Sequence, residues 1–374
     1  VEGAKAISYT GTYVQSKSEE TRRQRSESGT IPYRLKKNRR YCCLCLRRVI
    51  HRGTVEGTHE SALFVDKRFQ EAMIMSSTAT MLVSTAEEMN PSRRSTMEDC
   101  HVTLAPGSWN CPDPDMGYVG VYDGHGGRGI VEFLEDVFAH NIGEELQFND
   151  DADIPTRLER AFLMTDIQSR MAGITTSGAT VALCLIKKNR KAGEINIYAA
   201  NVGDARAVLS CTGTTSNQKA YRLTHDHRAD DPEEVARIEA AGGFVARSRV
   251  LGILAVARSM GDHGMKEFVI GKPFSSVTKV AIDNVDSSQD TPCISSEFVI
   301  LACDGLWDVM EDQEAVDLVR RSVFGSADQM QLSNLSPTDV LARKEKMEKA
   351  AQILVDTAMQ NGSTDNITAV VYWL

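Results

Sequence analysis

The chain has 374 residues, 42% of them hydrophobic, which is enough for one large domain or two ordinary ones around a substantial core. Its formal net charge is -9, but residues 1–60 carry 13 Lys or Arg against 6 Asp or Glu, and the remainder 29 against 45. A body this acidic repels a nucleic-acid backbone, and no run of 18 apolar residues is present, so nucleic-acid binding and a membrane-spanning helix are both disfavoured.

In chain order, residues 1–57 are polar and basic without sustained periodicity and read as a mobile extension. Within it, Lys36-Lys37-Asn38-Arg39-Arg40 beside Cys42 and Cys43 reads first as a solvated tail; a nuclear signal or peripheral membrane attachment through acylated cysteines are alternative readings. Cys42 and Arg48 match a Cys-x5-Arg spacing by coincidence, because no glycine lets the backbone approach a phosphate. Cys42, Cys43, Cys45 and His51 lack a second ligand pair at zinc-finger spacing. An accessory helix is expected over 58–80, where Leu63, Phe64, Phe69, Ala72 and Met73 fall near helical spacing.

Residues 81–374 read as one domain, with polar insertions near 283–296 and 325–337. The strand candidates GYVGVYDG, ATVALCLI, INIYAANVGDARAVLS, FVILACDG and ITAVVYWL are short, β-branched and bounded by Gly, Asp or Asn. Gly203-Asp204, flanked by two strand runs, predicts a tight antiparallel hairpin. Helices are expected over about 127–147, 155–172, 231–241, 311–324 and 338–360; the third has an acidic, Pro-containing start at Asp231-Pro232 and ends at Gly242-Gly243. Strands in runs and helices in pairs fit an α+β layered architecture. The nine scattered cysteines, an odd number, read as reduced and intracellular.

Asp123, Asp304 and Asp365 occur where strand candidates begin or stop, so they converge on one sheet edge. Several carboxylates within a few ångströms repel unless cations neutralise them. No zinc-like Cys or His cluster accompanies them, so Mg²⁺ or Mn²⁺ is the expected ion. The competing reading is ordinary turn chemistry, since Asp-Gly after a strand is a common loop signal.

Nine segments in order, RSTMEDCH (94–101), GVYDGHGG (120–127), TSGATVALCLI (176–186), AANVGDARAVL (199–209), RLTHDH (222–227), EVARIEAAGGFV (234–245), RVLGILAVARSMGD (249–262), ILACDGLWDVM (300–310) and STDNITAVV (363–371), carry a resemblance. Together they resemble the motifs of the metal-dependent serine/threonine protein phosphatases of type 2C, over about 290 residues. The resemblance implies an α-β-β-α sandwich of two antiparallel sheets flanked by helices. It also implies hydrolysis of phosphoserine and phosphothreonine in proteins by a water bridging two Mg²⁺ or Mn²⁺ ions, without a phosphoenzyme.

Position by position, the resemblance makes Asp123 the bridging ligand, the Gly124 carbonyl a ligand of one ion, Asp304 and Asp365 ligands of the other, and Glu98 a ligand through water. Arg94 matches a phosphate-binding arginine and His125 a general acid; Asp204 and Asp308, with Asp304, match a third, weaker metal site. Asp99 reads equally well as a solvated neighbour of Glu98, Asp262 as a structural turn residue, and His101, His225 and His227 as structural. Ala205 and Ala257 stand where the family commonly has Ser, which removes two hydroxyls without touching a ligand. The implied partners are phosphorylated proteins, met by a monomer in the cytoplasm or nucleus. The rival reading is a catalytically inactive member serving as a binding scaffold.

Overall fold

The computed structural model describes residues 81–189, 192–212, 218–281, 295–325 and 337–374. All lie in the compact unit Phe69–Leu374. The expected extension over 1–57, the accessory helix over 58–80 and nearly all of both expected insertions lie outside the described residues.

In chain order the strands are β1 (Leu82–Glu88), β2 (Cys100–Leu104), β3 (Met116–His125), β4 (Gly178–Asn189), β5 (Glu194–Val202), β6 (Arg206–Thr212), β7 (Gln218–Arg222), β8 (Met260–Gly261), β9 (Phe274–Ala281), β10 (Ser295–Ala302) and β11 (Ile367–Trp373). The helices are α1 (Gly129–Gln147), α2 (Ile154–Met171), α3 (Pro232–Ala240), α4 (Asp304–Trp307), α5 (Asp312–Phe324), α6 (Pro337–Glu348) and α7 (Ala350–Gln360). One antiparallel sheet has the order β1-β11-β10-β6-β7 and the other β2-β3-β4-β5-β9, with β8 attached to β4.

Period-two alternation sorts the strand residues into layers. Val119 and Val121 of β3, Cys184 and Ile186 of β4, Val299 and Leu301 of β10, and Val370 and Tyr372 of β11 form the core between the sheets. The intervening residues face helices. Tyr118, Tyr122, Leu183 and Leu185 pack with Phe138 of α1 and Phe162 of α2, whereas Phe298, Ile300, Ala369 and Val371 pack with Val316 and Val319 of α5 and Leu354 of α7. The result is the expected α-β-β-α sandwich. Strands buried on both faces explain why their sequences run apolar with little polar interruption.

The start of α3 is as written in the sequence: the Asp231 carboxylate accepts from the Glu233 N–H at 2.8 Å, with Pro232 in the first turn. Two expectations are corrected. β5 and β6 do not form a hairpin around Gly203-Asp204; β5 pairs with β4 and β9 in one sheet, and β6 with β10 and β7 in the other. The chain crosses the sandwich there, and because both strands are buried on both faces their periodicity does not mark which sheet each joins. The expected single helix over 338–360 is two helices. The Ser84 hydroxyl of β1 donates to the Glu348 carbonyl at 2.7 Å and accepts from the Ala351 N–H at 3.0 Å, satisfying one backbone group from each helix end at the break.

Cys100, Cys111, Cys184 and Cys303 are free thiols, as expected, but Cys211 is disulfide-bonded, which corrects the all-reduced reading at that position. Scattered spacing does not say which cysteines a fold brings together. No helix among the described residues is long and apolar enough to cross a membrane.

Phe138 is fully buried and meets Phe162 edge-on, with ring centroids 4.8 Å apart. Phe138→Ala is expected to lower the unfolding free energy by about 3–5 kcal/mol. Denaturant titration checks this; a loss near zero would show that α1 and α2 are not packed as described.

Candidate active site

Val119 and Val121 of β3 point into the central core, so Asp123, two residues further, continues that face to the end of the sandwich. Its antiparallel partner on β4 is Thr180, whose hydroxyl is buried without a hydrogen-bond partner. Asp304 stands one residue beyond the end of β10, after Cys303, and opens α4, and Asp204 lies in the crossover between β5 and β6. One carboxylate oxygen from each of Asp123, Asp204 and Asp304 lies within 4.8 Å of the other two. Close backbone approach adds the remaining segments. A side chain at Gly305 would collide with the Asn366 carbonyl, and one at Gly124 with the Glu98 carbonyl, so glycine alone lets Asp304 approach β11 and Asp123 approach the β1–β2 loop.

Burial pushes the Asp123 carboxyl well above its usual range, and Asp304, Asp99, Asp204 and Asp365 push it further. Asp304 is raised for the same reasons, first by burial and then by Asp204, Asp365, Asp308 and Asp99. Burial raises Asp204 to about 6 against the opposing pull of Arg228. Among the described residues neither Asp123 nor Asp304 has an ion-pair partner. Both residues are half-buried. An all-oxygen cluster, two carboxylates at Asp123 and Asp304 with no ion-pair partner among the described residues and an orphaned hydroxyl fit divalent cations such as Mg²⁺ or Mn²⁺.

The other expected site residues fall around this cluster. Asp365, just before β11, is ion-paired with Arg94, whose Nε also donates to the Thr364 carbonyl at 3.4 Å. Burial raises the Asp365 carboxyl, against the Asn366 N–H and Arg94, which lower it. Glu98 accepts from the Thr96 hydroxyl at 3.2 Å, and its N–H donates to the Asn366 side-chain oxygen at 2.9 Å. His125 is hydrogen-bonded through Nε2 to Asp262 Oδ2 at 2.8 Å. Asp308 stands apart from the three clustered carboxylates; it is exposed and paired with Arg228 at 2.5 Å, while Arg228 Nε reaches Asp204 at 3.8 Å.

Three residues matter more than their sequence signals suggest. Asp99 is buried, accepts from the Thr368 hydroxyl at 2.8 Å and is raised by burial to about 6. Asn366 is buried, and its amide donates to the Met89 and Thr96 carbonyls at 2.8 and 3.0 Å, tying the Arg94–Glu98 loop to the start of β11. Asp262 contacts His125. The acidic pair at 98–99 and the Asp-Asn step at 365–366 are the only sequence signals for the first two.

A family model described as protein phosphatase 2C matches residues 84–367, most of the chain. The chain belongs to the protein phosphatase 2C family. It is 33% identical over 306 residues to protein phosphatase 2C homolog 1 of Saccharomyces cerevisiae, covering 79% of this chain and 94% of that protein. It is 32% identical over 299 residues to protein phosphatase 2C homolog 1 of Schizosaccharomyces pombe, covering 79% and 74%. The fold is similar to that of a serine-threonine phosphatase 2C from Toxoplasma gondii, at a TM-score of 0.58 and 19% identity over 80% of this chain and 96% of that one. It is also similar to a C. elegans sex determining protein, at 0.61 and 22% over 83% and 72%. Membership of the protein phosphatase 2C family supports protein phosphatase activity and implies dependence on divalent metal, in keeping with the acidic cluster.

The raised carboxyl of Asp304 costs stability when no cation is bound. That cost is full above the folded-state pKa and vanishes as pH falls towards the unfolded value of 3.8. Metal-stripped Asp304→Asn is therefore expected to be more stable than metal-stripped wild type at pH 8, with the gap closing on acidification. Thermal unfolding in chelator across that range checks this; a constant or inverted gap contradicts it.

Proposed function

We propose that this protein phosphatase 2C hydrolyses phosphoserine and phosphothreonine in proteins, dependent on two Mg²⁺ or Mn²⁺ ions and without a phosphoenzyme. The observation that carries the reading is the cluster of the half-buried Asp123 and Asp304 with the buried Asp204, which lacks a balancing protein cation at Asp123 and Asp304 among the described residues. Asp123, the Gly124 carbonyl, Asp304 and Asp365 would hold the ions, with Glu98 acting through water and Asp204 and Asp308 available to a third, weaker ion. When bound, such ions acidify a water to serve as nucleophile and neutralise charge on the phosphoryl group.

The protein's own residues bind and orient the substrate. Arg94 is 48% exposed on its side chain; Asp365 holds its Nη2 and the Thr364 carbonyl its Nε, and the exposed guanidinium would meet phosphate oxygens. His125, on the backbone step after Gly124, protonates the departing serine or threonine oxygen. Asn366 keeps the Arg94–Glu98 loop in register with Asp365. Asp123 and Asp304 are half-buried rather than sealed off, which suits approach of a phosphorylated side chain, and the substrates are phosphorylated proteins met by a monomer.

Mn²⁺ at 100 times its dissociation constant is expected to stabilise the wild type by about 2.7 kcal/mol. Hydrolysis of a phosphothreonine peptide should need Mn²⁺ or Mg²⁺, stop on chelation and fall at least about 100-fold in Asp304→Asn. Phosphate release assays check this. Activity that survives both chelation and the substitution refutes the metal-dependent reading, and inactivity at every metal concentration favours the scaffold.

A further inference from the structure

His125 and Asp262 are 137 positions apart, yet Nε2 of the ring and Oδ2 of the carboxylate lie 2.8 Å apart. The contact is built from several sides. Asp262 is buried, and its Oδ2 also accepts from the fully buried Ser259 hydroxyl at 2.5 Å. Its backbone N–H donates to the Ser177 carbonyl at 3.1 Å, and its carbonyl accepts from the Met265 N–H at 2.8 Å. Burial raises this carboxyl, but the hydrogen bonds and charges of His125, Ser259 and Lys266 outweigh it and leave Asp262 below its ordinary range.

The backbone accommodates the pair at some cost. Asp262 sits at φ +47°, in the left-handed region that non-glycine residues rarely hold without compensation. Its neighbour Gly261 pairs with Gly178 across β8 and β4, and Gly178 also lies opposite His125 across β3 and β4. A side chain at Gly178 would collide with both the Asp262 carboxylate and the His125 ring. Strain at one residue and a missing side chain at another thus both serve the same contact.

We propose that Asp262 is a positioning residue that fixes His125 with its Nε2–H bound to the carboxylate, so that Nδ1 is the atom that delivers the proton to the leaving oxygen. The carboxylate accepts hydrogen bonds only, so the ring nitrogen facing it must be the donor, and the other nitrogen is the one left to face substrate. In the transfer the Nδ1–H bond of the imidazolium breaks as the serine or threonine O–H bond forms. The ring is left neutral with its remaining proton on Nε2. The inference rests on the phosphatase reading above and adds to it the orienting partner and the atom.

The test uses the full chain with Mn²⁺ and two substrates that differ in leaving group, a phosphothreonine peptide and p-nitrophenyl phosphate. Only the poor alkoxide leaving group needs the acid. Asp262→Asn, whose side chain tolerates positive φ, is expected to lower kcat about 10- to 100-fold on the peptide and less than about threefold on the aryl phosphate, with KM changed less than about twofold. Joined to His125→Gln it should cost no further activity beyond His125→Gln alone. Equal losses on both substrates, or losses that multiply in the double variant, overturn the inference. If the wild type hydrolyses neither substrate, the phosphatase reading itself has failed. A measurement independent of any variant is the ¹⁵N spectrum of labelled histidine: the neutral His125 ring should carry its proton on Nε2, and a proton on Nδ1 overturns the assignment.

Discussion

The structure depends on holding carboxylates together where they repel. Asp123, Asp204 and Asp304 come from three separate strand ends, and their closest oxygens are within 4.8 Å. At that separation and with part of the solvent excluded, like charges raise one another's proton affinity and oppose the compact state. Only a scaffold stabilised elsewhere can enforce such an arrangement. Three apolar layers do so here, one between the sheets and one under each pair of helices. A cation bound there would relieve this repulsion, which would link metal affinity and stability through the same residues.

Around the cluster, other charged groups are paired. Arg206, buried beside the crossover, is ion-paired with Asp226, reaches Asp312 at 2.6 Å and lies 5.0 Å from the Trp307 ring centroid. These contacts fix β6 against the start of α5 and the short α4. Arg258 and Arg237 hold the buried Glu234 of α3 at 2.5 and 2.8 Å, anchoring the small core of Ala229, Ile238, Val250, Ala257 and Val269. Ala257, one of the two positions where a hydroxyl is absent, is fully buried in that core, so its methyl group packs there.

The elements legible in sequence are those whose boundaries are local. The ends of α3 are written in Asp231, Pro232 and Gly242, and the carboxylates at 123, 304 and 365 stand at strand ends that β-branched runs reveal. Where the sequence misleads, a distant group decides. The break between α6 and α7 is held by Ser84, more than 260 positions away, and the separation of β5 from β6 follows from their pairing with β4 and β10. Asp262 does stand in a turn, its carbonyl accepting from the Met265 N–H at 2.8 Å, but its contact with His125, remote in sequence, is not legible locally.

By itself the sequence determined the layered α+β class, the residues with the chemistry for a hard-cation site and, through the order of its motifs, the family. Each rests on local spacing and residue type. Tertiary structure alone decided that Asp204 joins Asp123 and Asp304 in one cluster while Asp308 turns to Arg228, that Asn366 binds the Arg94–Glu98 loop to β11, and that His125 meets Asp262. Those outcomes depend on which strand ends share an edge and on where missing side chains admit close approach. Both are fixed by long-range packing, to which a local pattern is blind.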